Sequence, residues 1–112
     1  MLISVVDDDE SVRESLPDLL RELGFEAQAF ASAEEFLESR ALCVTGCLVL
    51  DVAMPGMSGI ALQRELRNRG SEIPIVFITA YRDEATHLSL CLTKPFSDQA
   101  LLDAVSLALE RP

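Results

Sequence analysis

Apolar residues along this chain fall into short runs, separated by segments in which they return every three or four positions. Leu2 to Val6, Phe25 to Phe30, Cys47 to Leu50 and Ile75 to Thr79 read as strands. The third and fourth are continuously apolar, the pattern of a parallel sheet covered on both faces. A weaker run, Leu88 to Thr93, predicts a fifth strand.

The intervening segments carry helical signals. Ser11 to Leu23 places Val12, Leu16, Leu19, Leu20 and Leu23 on one stripe, with Pro17 expected to kink or loosen the helix. Ser32 followed by Glu35 is a capping box that opens a helix to about Arg40. Ser58 precedes a helix carrying Ile60, Leu62 and Leu66, which Gly70 closes. Ser97 caps a last helix whose inward face is Leu101, Leu102, Val105 and Leu109. Strands alternating with helices predict an α/β fold with a doubly wound parallel sheet.

Composition narrows the reading. The chain has 112 residues, 49% of them hydrophobic, enough for one domain with one core and too few for two. Nine basic residues against 19 acidic ones give a net charge of −10, which opposes direct nucleic-acid binding. The apolar opening has no basic leader and no stretch is long enough for a membrane span, so a cytoplasmic protein with no membrane association is expected.

Three cysteines, Cys43, Cys47 and Cys91, form no disulfide framework and are expected to be reduced. Cys43-x3-Cys47 and His87-x3-Cys91 have spacings that suggest zinc. If the third and fifth strands flank the fourth, however, they lie about 9 to 10 Å apart, too far for one ion. Buried small residues and one loop histidine are the simpler reading.

The first strand stops at three consecutive carboxylates, Asp7, Asp8 and Asp9. Two like charges about 4 Å apart repel by about 4 kcal/mol at an effective dielectric near 20. Asp9 fits a helix N-terminus, where a carboxylate meets the positive end of the dipole, whereas Asp7 and Asp8 precede the helix. In a doubly wound sheet, ligands bind beyond the C-terminal strand ends. Asp7, Asp8, Asp51, Thr79 and Lys94 all fall on that rim. An all-oxygen cluster suits a hard cation such as Mg²⁺. Asp51, exposed at the rim by the turn at Pro55 and Gly56, then suits nucleophilic attack on a phosphoryl group. Thr79 and Lys94 suit the equatorial oxygens of that group, and small Ala80 leaves room for it.

These residues carry a resemblance. VVDDDESVRESL, LVLDVAMPGMSG, FITA and LTKPF resemble the motifs of a bacterial two-component response-regulator receiver domain of the FixJ type, in order and almost from end to end. The resemblance implies residues 1–112 as one receiver domain with a flavodoxin-like, five-stranded sheet in the order 2-1-3-4-5 and helices on both faces. It implies Asp51 as phosphoacceptor from a sensor histidine kinase. Mg²⁺ would be held by Asp7, Asp8, Asp51 and the backbone carbonyl of Ala53, with Lys94-Pro95 in the cis form. Such a domain is a signalling module that catalyses only its own phosphoryl transfer and dephosphorylation. FixJ-type receivers usually precede a helix-turn-helix domain, so a DNA-binding effector for transcription regulation is expected outside this chain.

Other classes fit less well. A haloacid-dehalogenase-like phosphatase needs a second Asp two residues after the first, and Ala53 stands there. A dinucleotide-binding domain needs a glycine-rich turn where the three aspartates lie. The serious competitor is a pseudo-receiver, a protein-binding or dimerisation module without a phosphorylation switch.

Two departures from the family pattern bear on switching. Cys91 stands three residues before the lysine, where the family usually has an aromatic. Thr79 and Lys94 are 94 − 79 = 15 positions apart, about seven fewer than the family usually spends on a helix and a returning strand. A fourth crossover helix reduced to a turn or irregular segment around Asp83 to Leu88 is therefore expected. Part of the flank of the fourth and fifth strands would then be left uncovered, and a homodimer or a bound peptide on this face is the expected consequence.

Overall fold

The computed structural model describes residues 1–81 and 90–110. Strand β1 (Leu2–Val6) is followed by helix α1 (Glu10–Glu22), β2 (Glu26–Phe30), α2 (Ala33–Glu38), a 3-10 turn (Arg40–Cys43) and β3 (Thr45–Asp51). Then come α3 (Gly59–Asn68), β4 (Ile75–Thr79), β5 (Cys91–Thr93) and α4 (Asp98–Glu110). All neighbouring strands pair in parallel, in the order β2-β1-β3-β4-β5. This is the expected flavodoxin-like arrangement, in which every connection between parallel strands must cross a face of the sheet.

Strand periodicity divides the interior in two. On one face Ile3, Val5, Cys47, Val49, Val76 and Ile78 pack against Leu16 and Leu20 of α1 and Leu101 and Val105 of α4. On the other, Val6, Leu48, Leu50 and Phe77 meet Phe36 of α2 and Leu62 and Leu66 of α3. Alternate residues of β3 therefore enter different cores, which is why the strand reads as continuously apolar. The edge strands are less protected: β5 is half-buried throughout, against the fully buried β4.

Helix starts follow their caps. Asp9 caps α1 by accepting the Ser11 N–H at 2.9 Å, Ser32 accepts from Glu35, Ser58 from Ala61 and Ser97 from Ala100. The Glu35 carboxylate returns to the N–H of Ala31 rather than to that of Ser32. Gly70 closes α3 at φ +82°.

Helix α1 is a single helix with Pro17 inside it, buried beside Leu16. Two boundaries differ from expectation. Helix α2 ends at Glu38, where Ser39 starts the 3-10 turn by accepting from the Ala41 N–H. The described part of the fifth strand is Cys91–Thr93, and the segment from Asp83 to Leu88 expected to be shortened lies outside the described residues. No helix among the described residues is long and apolar enough to cross a membrane.

Candidate functional site

The C-terminal strand ends bring the rim residues together. Asp7 follows β1 and continues its ladder, its N–H donating to the Phe30 carbonyl at 3.1 Å. Asp51 is the last residue of β3, and the Val52 N–H donates to Ile78 of β4 at 3.0 Å. Thr79 ends β4, and its carbonyl accepts the Lys94 N–H at 2.7 Å. Parallel register therefore sets residues far apart in sequence side by side.

Asp7, Asp8 and Asp51 each offer a carboxylate oxygen within 4.8 Å of the others. Asp7 and Asp51 are buried and Asp8 is exposed, so the group opens on one side. The ammonium of Lys94, the chain's only lysine, donates to Asp7 Oδ2 at 2.8 Å and lies 4.0 Å from Asp51 Oδ1. Asp7 Oδ1 accepts the Asp9 N–H at 2.9 Å.

Burial, reinforced by the negative charge of Asp7, pushes the Asp51 carboxyl up to about 7. Burial works against the Lys94 ammonium, but the bond to Asp7 and the charges of Asp7, Asp51 and Asp9 outweigh it, so its pKa is raised. Burial thus leads the Asp51 shift, and the carboxylate neighbours cause that of Lys94. The donor set is all oxygen, partly solvent-facing and short of positive charge, which fits a hard divalent cation that keeps several waters.

Thr79 is fully buried, and its hydroxyl accepts the Tyr81 N–H at 3.1 Å. Ala53 is exposed in the loop that leaves β3. That loop is clasped tightly: the Gly59 N–H donates to Val52 at 2.9 Å, and a Cβ on Gly59 would overlap the Asp51 carbonyl oxygen. The Lys94-Pro95 peptide is cis.

The zinc spacing leads nowhere among the described residues, where Asp7, Asp8 and Asp51 are the one candidate metal cluster. Cys43 is exposed, while Cys47 is buried with its thiol pushed up to about 11 by burial. His87 lies outside the described residues.

Two features of the site are not apparent in the sequence. Arg13, in the first turn of α1, reaches back to donate to the Asp7 carbonyl at 3.1 Å. Its position four residues after the capping Asp9 is the only linear hint. Val12 and Leu19, expected to be buried with the α1 stripe, are half-buried instead. With Leu16, Pro95 and Phe96 they line a groove of about 460 Å³ that also touches Lys94.

Comparison with known proteins agrees with this geometry. The family model "Response regulator receiver domain" matches residues 3–106. Nodulation protein W of Bradyrhizobium diazoefficiens is 47% identical over 98% of this chain and 52% of its own length. That match runs over 117 positions against 112 residues here, so this chain is the shorter across the shared region. The transcriptional regulatory protein FixJ of Azorhizobium caulinodans is 40% identical over 97% of this chain and 55% of its own length. The crystal structure of FixJ-N superposes with a TM-score of 0.85 at 34% identity, over 99% of this chain and 94% of that one. The chain thus spans about half the length of these curated relatives. It belongs to the response regulator receiver domain family, with relatives of the FixJ type.

Proposed function

We propose that this chain, residues 1–112 taken as one receiver domain, accepts a phosphoryl group on Asp51 from a sensor histidine kinase in the cytoplasm. The observation that carries the reading is the grouping of Asp7, Asp8 and Asp51 within 4.8 Å, with the Lys94 ammonium on its edge. Asp7, Asp8, Asp51 and the Ala53 carbonyl would hold Mg²⁺. Bound there, Mg²⁺ supplies the positive charge that lets an anionic phosphoryl group approach the carboxylates.

An ionised Asp51 oxygen attacks the phosphorus of a phosphohistidine. The O–P bond forms as the P–N bond breaks, and the histidine nitrogen leaves with the electron pair and takes up a proton from water. Lys94, 4.0 Å from Asp51, pairs with an oxygen of the transferred group, and the Thr79 hydroxyl bonds another. Hydrolysis of the acyl phosphate by water restores Asp51 and releases phosphate. Both steps are the chain's own phosphoryl transfer and dephosphorylation, the chemistry of a signalling module.

The groove between α1 and the Lys94–Phe96 turn shares Lys94 with the site, which supports docking of the phosphodonor there. The relatives named as transcriptional regulators, and their greater length, support a DNA-binding effector outside this chain. A second copy on the face of β4 and β5 is the third proposed partner; a monomeric mass at every concentration would remove it.

A pseudo-receiver is the second reading, favoured by the short Thr79–Lys94 interval and by Cys91 in the aromatic's place. Intact mass after incubation with Mg²⁺ and a small phosphodonor separates the two. One added phosphoryl group, lost in Asp51→Asn and in chelator, is the expected result. An unmodified mass from folded protein would leave the pseudo-receiver.

A further inference from the structure

Asp7 is held from four directions. Its N–H donates to Phe30 at 3.1 Å, Oδ1 accepts from Asp9 at 2.9 Å, Oδ2 accepts from Lys94 at 2.8 Å, and its carbonyl accepts from Arg13 Nη1 at 3.1 Å. The first three fix the position of Asp7. The fourth differs, because the Asp7 carbonyl belongs to the peptide plane that Asp7 shares with Asp8. Asp8 is exposed, and the plane of that peptide sets the direction in which its side chain leaves the backbone.

We propose that Arg13 is a positioning residue for the metal-binding carboxylates: its bond to the Asp7 carbonyl orients the Asp7–Asp8 peptide, and with it the direction in which Asp8 presents its oxygens. The inference rests on the reading of Asp7, Asp8 and Asp51 as a Mg²⁺ site. Arg13 is well placed to act this way, since its own N–H is tied to the carbonyl of the capping Asp9 at 3.1 Å. One residue thereby couples the first turn of α1 to the end of β1.

Charge and geometry predict opposite signs. As a bare cation near the acidic site, Arg13 would compete with Mg²⁺, and its removal would tighten metal binding. As a positioning donor, its removal loosens the site. Groups that orient metal ligands from behind commonly change affinity by 10-fold to 100-fold, so a loss of about tenfold is expected for Arg13→Ala. Arg13→Gln discards the charge and retains an N–H donor on a long side chain.

The test is Mg²⁺ affinity by calorimetry for parent, Arg13→Ala and Arg13→Gln, with the Asp8 amide resonance of each metal-free protein followed by NMR. Weaker binding and a displaced Asp8 amide in Arg13→Ala, both restored in Arg13→Gln, support the proposal. Binding in Arg13→Ala as tight as the parent or tighter would overturn it, as would a Gln variant no better than Ala. A parent that binds no Mg²⁺ would instead overturn the metal site itself.

Discussion

Lys94 Nζ bonds Asp7 Oδ2 at 2.8 Å across 87 residues of sequence and stands 4.0 Å from Asp51 Oδ1. One half-buried ammonium therefore serves two buried carboxylates. Asp7 is fully enclosed, and loss of its partner would leave a buried charge uncompensated. Lys94→Met, which keeps the apolar stem, is expected to destabilise the metal-free domain by about 2 to 3 kcal/mol, reduced from the fully buried case because Lys94 meets some solvent. Urea denaturation with and without Mg²⁺ checks this. The deficit should shrink with the metal, and an equal deficit in both conditions would contradict the shared-charge account.

The Asp51 carboxyl gives the metal-free protein a pH signature. Its pKa rises from 3.8 to about 7 on folding, first through burial and then through Asp7. Between these values the native state holds a proton that the unfolded chain has released. Stability therefore falls as pH rises from about 4 to about 7, then levels off. Asp51→Asn removes this dependence and is expected to stabilise the metal-free domain by about 2 to 4 kcal/mol at pH 8, with little difference near pH 4. Denaturation in chelator across that range tests the sign; a variant less stable than the parent at pH 8 would reverse it.

Gly59 tests the clasp of the loop after β3. A Cβ there would overlap the Asp51 carbonyl oxygen and press on the Val52 backbone, neither of which can rotate away. Gly59→Ala is expected to cost about 1 to 3 kcal/mol, the range for overpacking a filled site. A denaturation midpoint equal to the parent's would show that the loop yields freely.

Thr79 and Cys91 bear on switching. Cys91 is half-buried on the edge strand opposite Phe77, and Tyr81, 63% exposed, is outside the core. With no aromatic at position 91 for the Thr79 hydroxyl to move, Thr79→Ala is expected to change the lifetime of the phosphorylated form more than any gain in dimerisation. Mass spectrometry of phosphoryl decay, paired with analytical ultracentrifugation, measures both. A variant with normal decay that loses all dimerisation would refute the expectation.

The sequence by itself determined the elements, because their signals are local. Caps at Asp9, Ser32, Ser58 and Ser97 act within three residues, and the β3 and β4 runs report burial on both faces through one uninterrupted pattern. It also pointed to the rim residues, since a doubly wound sheet sends each strand's C-terminal end to the same side. The tertiary structure decided how those residues meet. Whether Lys94 reaches Asp7, how far burial lifts Asp51, and that Arg13 turns back to the Asp7 carbonyl all depend on register and desolvation between segments far apart in the chain. Val12 and Leu19 make the same point. Helical periodicity puts them on the apolar stripe of α1, but the neighbouring Lys94–Phe96 turn leaves a groove there instead of a closed core, and periodicity carries no information about what an opposing segment fills.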